Sequence, residues 1–429
     1  MQDAALRLKS LVEQMLGTPL PLRVRAWDGS EAGPPGAPVL VVRNRRALRR
    51  LLWKPGELGL ARGWVSGDLG VEGDLYAALD LMSGLVWERG EDARGLVESL
   101  RDPQVRAAVR GLVAMAGPPL PPAPPREEMR RRRHLHTRRT DKRAISHHYD
   151  VGNDFYEIVL GPSMVYSCAY WEDGGTLEDA QRDKLELICR KLGLKPGLRL
   201  LDVGCGWGSM AIHAAREHGV GVVGVTLSQE QAAYARKRVA DEGLTDRVEI
   251  RVQDYRDVTD GPYDAISSIG MAEHVGAERY LEYAQVLHGL LKPGGRLLNH
   301  QIARRPQRDE TTYSVDEFID AYVFPDGELA PVGTTVTQLE RAGFEVRDVE
   351  SLREHYALTL RRWVANLEAQ WARAVKLSSP PRARVWRLYM AASALAFEHN
   401  RIGVNQVLAV RTPEAAGASG LPLRARTWN

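Results

Sequence analysis

The stretch from Leu198 to Thr226 limits the fold of this chain more than any other. It reads Leu-Arg-Leu-Leu-Asp-Val-Gly-Cys-Gly-Trp-Gly, then the helix-period segment Ser209 to His218, then Gly-Val-Val-Gly-Val-Thr. An apolar run ending in Asp202 gives way to three alternating glycines, Gly204, Gly206 and Gly208, which let backbone approach a ligand where a Cβ would collide. Strand, tight turn, helix and parallel strand make one βαβ unit with its ligand loop at the carboxyl end of the first strand. The dinucleotide fingerprint needs G-x-G-x-x-G and an acid after the second strand. Here the spacing is G-x-G-x-G and the second strand runs into Thr226-Leu-Ser-Gln-Glu-Gln231. NAD is therefore disfavoured.

Strands and helices keep alternating downstream. Val248 to Gln253 reads as a third strand, Tyr263 to Ile269 as a fourth after the Gly261-Pro262 turn, and Glu278 to Leu290 as a helix. The turn Lys292-Pro-Gly-Gly295 leads into a fifth strand, Arg296 to Ile302; a helix, Val336 to Ala342, and a strand, Phe344 to Val349, follow. The pattern predicts an open α/β sheet with ligands across its carboxyl edge. That edge brings Glu273, His300 and Ile302 close to the glycine loop. Taken singly, His300 reads equally as a core histidine, Glu273 as a helix cap and Cys168 as buried packing.

A length of 429 residues points to two domains. Ahead of the sheet, Leu8, Leu11, Val12, Met15 and Leu16 recur at helical spacing up to Gly17. An alternating segment, Leu22 to Trp27, meets the turn Asp28-Gly29, with Val39 to Val42 as its partner strand. Arg45 to Trp53 reads as a basic amphipathic helix and Asp74 to Met82 as another helix. Residues 1–116 are expected to form a small α+β domain, 117–143 a Pro-rich and then Arg-rich linker, and 144–429 the catalytic domain. Gly117 to Pro125 is too proline-rich for helix or central strand. The cationic tract after it, Arg130 to Arg133 with Arg138, Arg139, Lys142 and Arg143, lacks the interleaved aromatics of a nucleic-acid site. An anionic membrane surface suits it better, at about 1 kcal/mol per basic residue near the headgroups. With no long apolar run and no leader pattern, the expected location is cytoplasmic, peripherally attached to the inner face of the membrane. The three cysteines, Cys168, Cys189 and Cys205, show no metal-ligand spacing, so neither disulfide frame nor zinc site is indicated.

Ile145-Ser-His-His-Tyr-Asp-Val-Gly-Asn-Asp-Phe-Tyr156 and Met164-Val-Tyr-Ser-Cys-Ala-Tyr-Trp171 resemble the entry to the catalytic domain of cyclopropane-fatty-acyl-phospholipid synthases and mycolic acid cyclopropane synthases. The resemblance continues through the glycine loop, Gln253-Asp-Tyr255, Gly270-Met-Ala-Glu-His-Val-Gly276, Leu298-Asn-His-Gln-Ile302 and Tyr322-Val-Phe-Pro325. It covers Ser146 to the C-terminus. Composition and length bring it near the family's actinobacterial fatty acid methyltransferase branch, of the tuberculostearic acid type.

The resemblance implies a Rossmann-like class I methyltransferase domain that uses S-adenosylmethionine (SAM). It implies cofactor contacts from Tyr166, Ser167, Asp202, Gly204, Gly206 and Gly208, from Thr226 and Gln231 toward ribose, and from Gln253, Asp254 and Tyr255 toward adenine. Gln231 stands where an acid is usual. It further implies a bicarbonate ion as general base, held by Cys168, Glu273, His300, the backbone of Ile302, and Tyr356. A late cysteine of some members aligns with Ala392. The Asp316 to Phe324 segment and the helices around Trp363, Trp371 and Trp386 resemble the cover of an acyl channel, where aromatic faces stabilise a carbocation.

The implied reaction adds a one-carbon unit to the cis double bond of an unsaturated phospholipid acyl chain. An alkene is a weak nucleophile, its methylation leaves a cation, and quenching that cation needs proton removal without competing water. Ring closure gives a cyclopropane. A hydride shift gives the methylene product expected here, which a separate reductase would saturate. Oligomeric state is left open, a homodimer being one outcome. Two other classes share parts of the pattern: a small-molecule methyltransferase, against which stand His147-His148-Tyr149 and the Glu273/His300 pair, and a non-catalytic lipid-binding module, which has no use for the glycine loop.

Charge reversal of Arg130 to Arg133 is expected to weaken co-sedimentation with anionic vesicles. Unchanged binding would remove the membrane role.

Overall fold

A computed structural model describes residues 3–86, 101–118, 120–129, 151–310, 313, 315–325, 327–413, 418–422 and 426. The cationic tract from Arg130 onward and the His147-His148-Tyr149 entry lie outside the described residues. The chain forms two compact units: residues 1–131 with 316–323 and 379–395, and residues 132–315 with 324–378 and 396–429. None of the described helices is long and apolar enough to cross a membrane.

In the first unit, helix Ala4–Leu16 is capped by Asp3 and ends at Gly17 in the left-handed region. Four strands follow: β1 (Arg23–Arg25), β2 (Glu31–Ala32), β3 (Val39–Val42) and β4 (Leu69–Glu72). Their order is β2-β1-β3-β4. The Asp28-Gly29 turn makes β2, not β3, the antiparallel neighbour of β1; β3 pairs with β1 in parallel. Two residues cannot reverse a chain into a parallel partner, so the turn needed a nearer strand. Helices Arg46–Trp53, Glu57–Val65, Leu75–Val86 and Pro103–Ala116 complete this part of the unit. Leu8, Leu22, Val24, Val42, Leu48, Leu69 and Leu112 form its core. The basic helix is not wholly solvated: Arg50 is 8% exposed and donates from Nε to Asp68 Oδ2 at 2.9 Å. The Asp316–Val323 segment adds helix Glu317–Tyr322, whose Phe318 and Tyr322 are buried.

The second unit is built on a seven-stranded sheet ordered β10-β11-β9-β8-β5-β6-β7. Its strands are β5 (Arg199–Val203), β6 (Gly221–Thr226), β7 (Val248–Val252), β8 (Tyr263–Ile269), β9 (Leu291–Arg304), β10 (Glu345–Ser351) and β11 (Ile402–Val410). β9, β8, β5, β6 and β7 are parallel, and β11 enters antiparallel between β9 and β10. This is the Rossmann-like methyltransferase arrangement expected from the sequence, with β11 added. The Lys292–Gly295 turn is absorbed as a bulge in β9: Tyr263 pairs with Leu291, but Ala265 pairs with Arg296.

Two apolar layers flank the sheet. One packs helix Leu177–Leu192 and helix Ser209–His218 on Leu200, Val222, Ile250, Ala265, Leu298 and Leu408. The other packs helix Tyr280–Leu290 and helix Val332–Arg341 on Leu201, Val223, Ile266, Leu297 and Val407. Alternate strand residues face opposite layers. Helix Leu177–Leu192 starts with a capping box between Thr176 and Asp179 and stops at Gly193 in the left-handed conformation.

Candidate active site

β5 runs out into the glycine loop, where Gly204 has φ +76° and its amide, with that of Cys205, donates to Val225 O at 2.9 and 3.0 Å. The loop floors a cleft of about 1220 Å³, open mouth included. Tyr166, Ser167, Asp202, Gly204, Gly206, Thr226, Gln231, Gln253, Asp254 and Tyr255 all line it. Gly208 is the one cofactor candidate that does not. It sits at the start of helix Ser209–His218, buried, and a Cβ there would come 3.1 Å from the Cβ of Ala235. Its lack of a side chain serves helix packing.

Asp202 is 2% exposed. Its Oδ1 accepts from Ser267 Oγ at 2.7 Å on the neighbouring β8, while its buried Oδ2 has no partner. Burial, partly opposed by Ser267, pushes its pKa up to about 6. Beside it stands a residue that sequence reasoning missed. Lys184, 1% exposed on helix Leu177–Leu192, donates from Nζ to Ser167 Oγ at 2.9 Å and lines the same cleft. Desolvation lowers its pKa to about 8, against the pull of the Asp202 charge. A carboxylate with a vacant lone pair and a buried ammonium thus share the floor.

At the far rim, Thr226 Oγ1 donates to Gln231 Oε1 at 3.0 Å, and Ser228 caps helix Gln229–Asp241. Asp254 does not project alone. It receives Arg256 Nε at 2.8 Å and Nη2 at 2.6 Å, and the Arg256 guanidinium lies 5.5 Å from the Tyr255 ring centre. Arg256, also in the cleft wall, was not foreseen.

The five residues expected to hold the anion are linked to one another through backbone hydrogen bonds and strand pairing. Glu273 Oε1 accepts from Ile302 N at 2.8 Å. Ile302 pairs with Val404 on β11, Val404 O accepts from Leu352 N at 2.9 Å, and Leu352 O in turn accepts from Tyr356 N at 3.1 Å and the Cys168 thiol at 3.6 Å. His300, two residues before Ile302, pairs with Ile269 and Gln406 across the sheet. Tyr356 sits against Trp363 and Phe397, and Trp363 in turn against Tyr166. Trp363 is fully buried.

Several buried polar atoms here have no partner in the protein: Glu273 Oε2, both ring nitrogens of His300, Nε1 of Trp363, and both amide ends of Gln406. Buried polar groups are nearly always hydrogen-bonded, so such a set is matched to something small and polar. Although part of Glu273 reaches the surface, its carboxylate is enclosed, and desolvation raises its pKa to about 7 despite the Ile302 amide. Burial holds the Cys168 thiol protonated and the His300 imidazole neutral. The backbone around Glu273 is anchored by Glu328, whose amide donates to Glu273 O at 3.2 Å and whose Oε2 accepts from Ala277 N at 2.9 Å.

Of the aromatic residues expected around an acyl chain, Trp363 adjoins Tyr166 and Tyr356, and Trp371 is part-buried. Trp386, edge-on to Tyr389, and the 316–323 segment belong to the first compact unit.

Because the folded-state pKa of Glu273 is raised above its unfolded value, protonation stabilises the fold below about pH 4.5. That contribution is lost as pH rises through about 7. Glu273→Gln removes the dependence. Its melting temperature relative to the parent is expected to rise from pH 5 to 8, by an amount equivalent to at most roughly 3 kcal/mol. A parallel pH profile would contradict the buried acid.

The model of the family described as mycolic acid cyclopropane synthetase matches residues 136–407. A Mycobacterium tuberculosis protein described as a probable fatty acid methyltransferase is 46% identical over 410 residues, 94% of each chain. The cyclopropane-fatty-acyl-phospholipid synthase of Escherichia coli K12 is 42% identical over 267 residues, 62% of this chain and 67% of its own. The solved mycolic acid cyclopropane synthase CmaA1, complexed with SAH and CTAB, superposes with TM-score 0.59 at 35% identity, covering 62% of this chain and 97% of the other. The chain is therefore an enzyme of the mycolic acid cyclopropane synthetase family.

Proposed function

We propose that the enzyme transfers a one-carbon unit from SAM to the cis double bond of an unsaturated fatty acyl chain carried by a membrane phospholipid. The observation that carries this is the set of unpartnered buried polar atoms on Glu273, His300 and Gln406 next to a cleft floored by the Asp202 glycine loop. A catalyst that methylates oxygen or nitrogen has a lone pair to attack with and no need of a second set of unsatisfied buried polar groups. A catalyst that methylates an alkene must remove a carbon-bound proton afterwards.

The cleft fits the amino-acid end of SAM. Asp202 Oδ2 offers a vacant acceptor to an ammonium, and the Lys184–Ser167 pair offers donors to a carboxylate. Gly204 keeps backbone open where a side chain would crowd its neighbour, since a Cβ on it would come 3.3 Å from the Cβ of Met271. Thr226 and Gln231 would reach ribose, and Asp254 with Tyr255 the adenine. When bound, the sulfonium supplies an electrophilic methyl group.

The unpartnered polar atoms on Glu273, His300 and Gln406 suit bicarbonate, which when bound would supply a proton acceptor. Glu273 keeps a proton into the neutral range and can donate it from Oε2, so it meets an anion without repulsion. The Ile302 amide, already on Oε1, fixes which oxygen faces inward. Tyr356 adds a phenol and His300 a neutral imidazole, donors that hold an anion while adding no net charge, with the Cys168 thiol beside them turned onto backbone carbonyl oxygen. Tyr166 and Trp363 offer ring faces to a carbocation. Trp363 is fully buried, and such enclosure keeps water, a competing quencher, away from the cation.

The methylene product is favoured over cyclopropane on the full-length similarity to a fatty acid methyltransferase. A separate reductase would then complete a methyl branch. The cationic tract would hold the protein against the anionic inner membrane face.

Glu273→Gln and Tyr356→Phe are each expected to lower turnover of labelled SAM on oleoyl phospholipid vesicles by about 10²-fold or more, in the range typical of general acid–base groups. SAM affinity by calorimetry should change less than about threefold, since neither residue lines the cofactor cleft. Mass spectrometry of the lipid distinguishes methylene from cyclopropane. Full activity in both variants, or label transferred only to small-molecule acceptors, would sink the proposal.

A further inference from the structure

Away from the cleft and the Glu273–His300 cluster, helices Leu177–Leu192 and Ser209–His218 bring three ligating side chains together with a carboxylate beside them. Cys189 Sγ and one ring nitrogen each from His213 and His218 lie within 4.8 Å of one another. Glu186, one turn before Cys189, accepts on a single oxygen, Oε2, from the Nε2 of His213 at 3.2 Å and of His218 at 2.9 Å. Cys189 is fully buried and His213 is 6% exposed. Nothing in the proposed reaction uses any of the four.

Cys189, His213 and His218 offer three ligand atoms close enough to share one ion, and the Glu186 carboxylate, hydrogen-bonded to both imidazoles, is the fourth group at hand. With bonds of about 2.0–2.1 Å to nitrogen and oxygen, two ligand atoms on zinc stand about 3.3 Å apart, close to the two N···O separations here. The charges also close. A divalent cation with one thiolate, one carboxylate and two neutral imidazoles sums to zero, which suits a largely buried site. Thiolate with imidazole selects zinc over magnesium or calcium, which prefer all-oxygen cages. With Glu186 as the fourth ligand no position is left open, which makes the site structural and not catalytic.

We propose that Glu186, Cys189, His213 and His218 form a structural zinc site that clamps these two helices together. Binding displaces the Cys189 thiol proton to solvent and forms the Zn–S bond with no change of oxidation state. The clamp bears on the cofactor cleft, because Lys184 and Leu185 on one helix and Ser209 and Met210 on the other line it. The alternative is a metal-free cluster in which Glu186 simply accepts two imidazole N–H groups. Both readings fit the same hydrogen bonds and differ only in uptake of metal.

The test uses the full chain without a polyhistidine tag, dialysed against micromolar zinc and then analysed for metal. About one zinc per chain is expected. Exchange with cobalt(II) should give the intense visible bands of a tetrahedral ion and a thiolate-to-cobalt charge-transfer band. Cys189→Ala should lose the charge-transfer band and His218→Ala the tetrahedral intensity. His218 is partly exposed, so its variant should keep the native circular dichroism. A chelator should lower the melting temperature of the parent and leave His218→Ala unmoved. A parent chain that takes up neither metal, or a cobalt spectrum unaltered in both variants, overturns the proposal.

Discussion

Taking ionisable side chains out of water is costly, and this chain does so repeatedly along one edge of one sheet. Asp202, Lys184, His300 and the carboxylate of Glu273 are all enclosed where the parallel strands end. In each case desolvation is the main influence on protonation: it raises the two acids, lowers the lysine to about 8 and keeps the histidine neutral. A packed domain tolerates such groups only when partners are present or a ligand completes them. Ser267 and Ser167 supply some of the partners. The vacant Asp202 Oδ2, Glu273 Oε2 and His300 nitrogens are what remains.

The sheet is what brings these groups together. Asp202 and Ser267 face each other across β5 and β8, and His300 lies opposite Ile269 on β8 and Gln406 on β11. Residues opposite one another share a face, so Asp202, Ser267, Ile269, His300 and Gln406 form a mainly polar row under helix Leu177–Leu192. Asn299 and Gln301 fall on the other face. There they satisfy Tyr280, Tyr283 and Thr335 in a closed hydrogen-bonded network that leaves nothing for a ligand. One residue of register thus separates a structural polar cluster from the candidate reactive one.

Much of this is legible in the sequence because the signals are local. Strand, glycine turn and helix from Leu198 to His218 are set by alternation, by positive φ and by helical period within a few residues. Tyr263–Ile269 forms the strand its alternation predicts, and ten of the eleven cofactor candidates line one cleft. Gly208 falls outside it because a glycine needed against Ala235 looks, in sequence, the same as one needed against a ligand. Lys184 escapes notice for a related reason. In a helix written Asp-Lys-Leu-Glu-Leu, a charged residue reads as solvent-facing, yet both Lys184 and Lys191, two turns apart, point inward and are essentially unexposed. Asp254 looks open in the sequence, although its Arg256 partner sits only two residues on.

The sequence by itself determined the parallel sheet, the position of the ligand loop and the residue types at its carboxyl edge, since period and turn chemistry act over short spans of chain. Tertiary structure decided the rest. β11, a late segment after helix Pro380–Glu398, enters antiparallel between β9 and β10 and supplies the strand through which Ile302 connects to Leu352, and so to Cys168 and Tyr356. The grouping of Glu186 and Cys189 with His213 and His218 depends likewise on how two helices pack on one face of the sheet. Such contacts depend on side chains far apart in the chain meeting where water has been excluded, and no spacing along the chain encodes that distance.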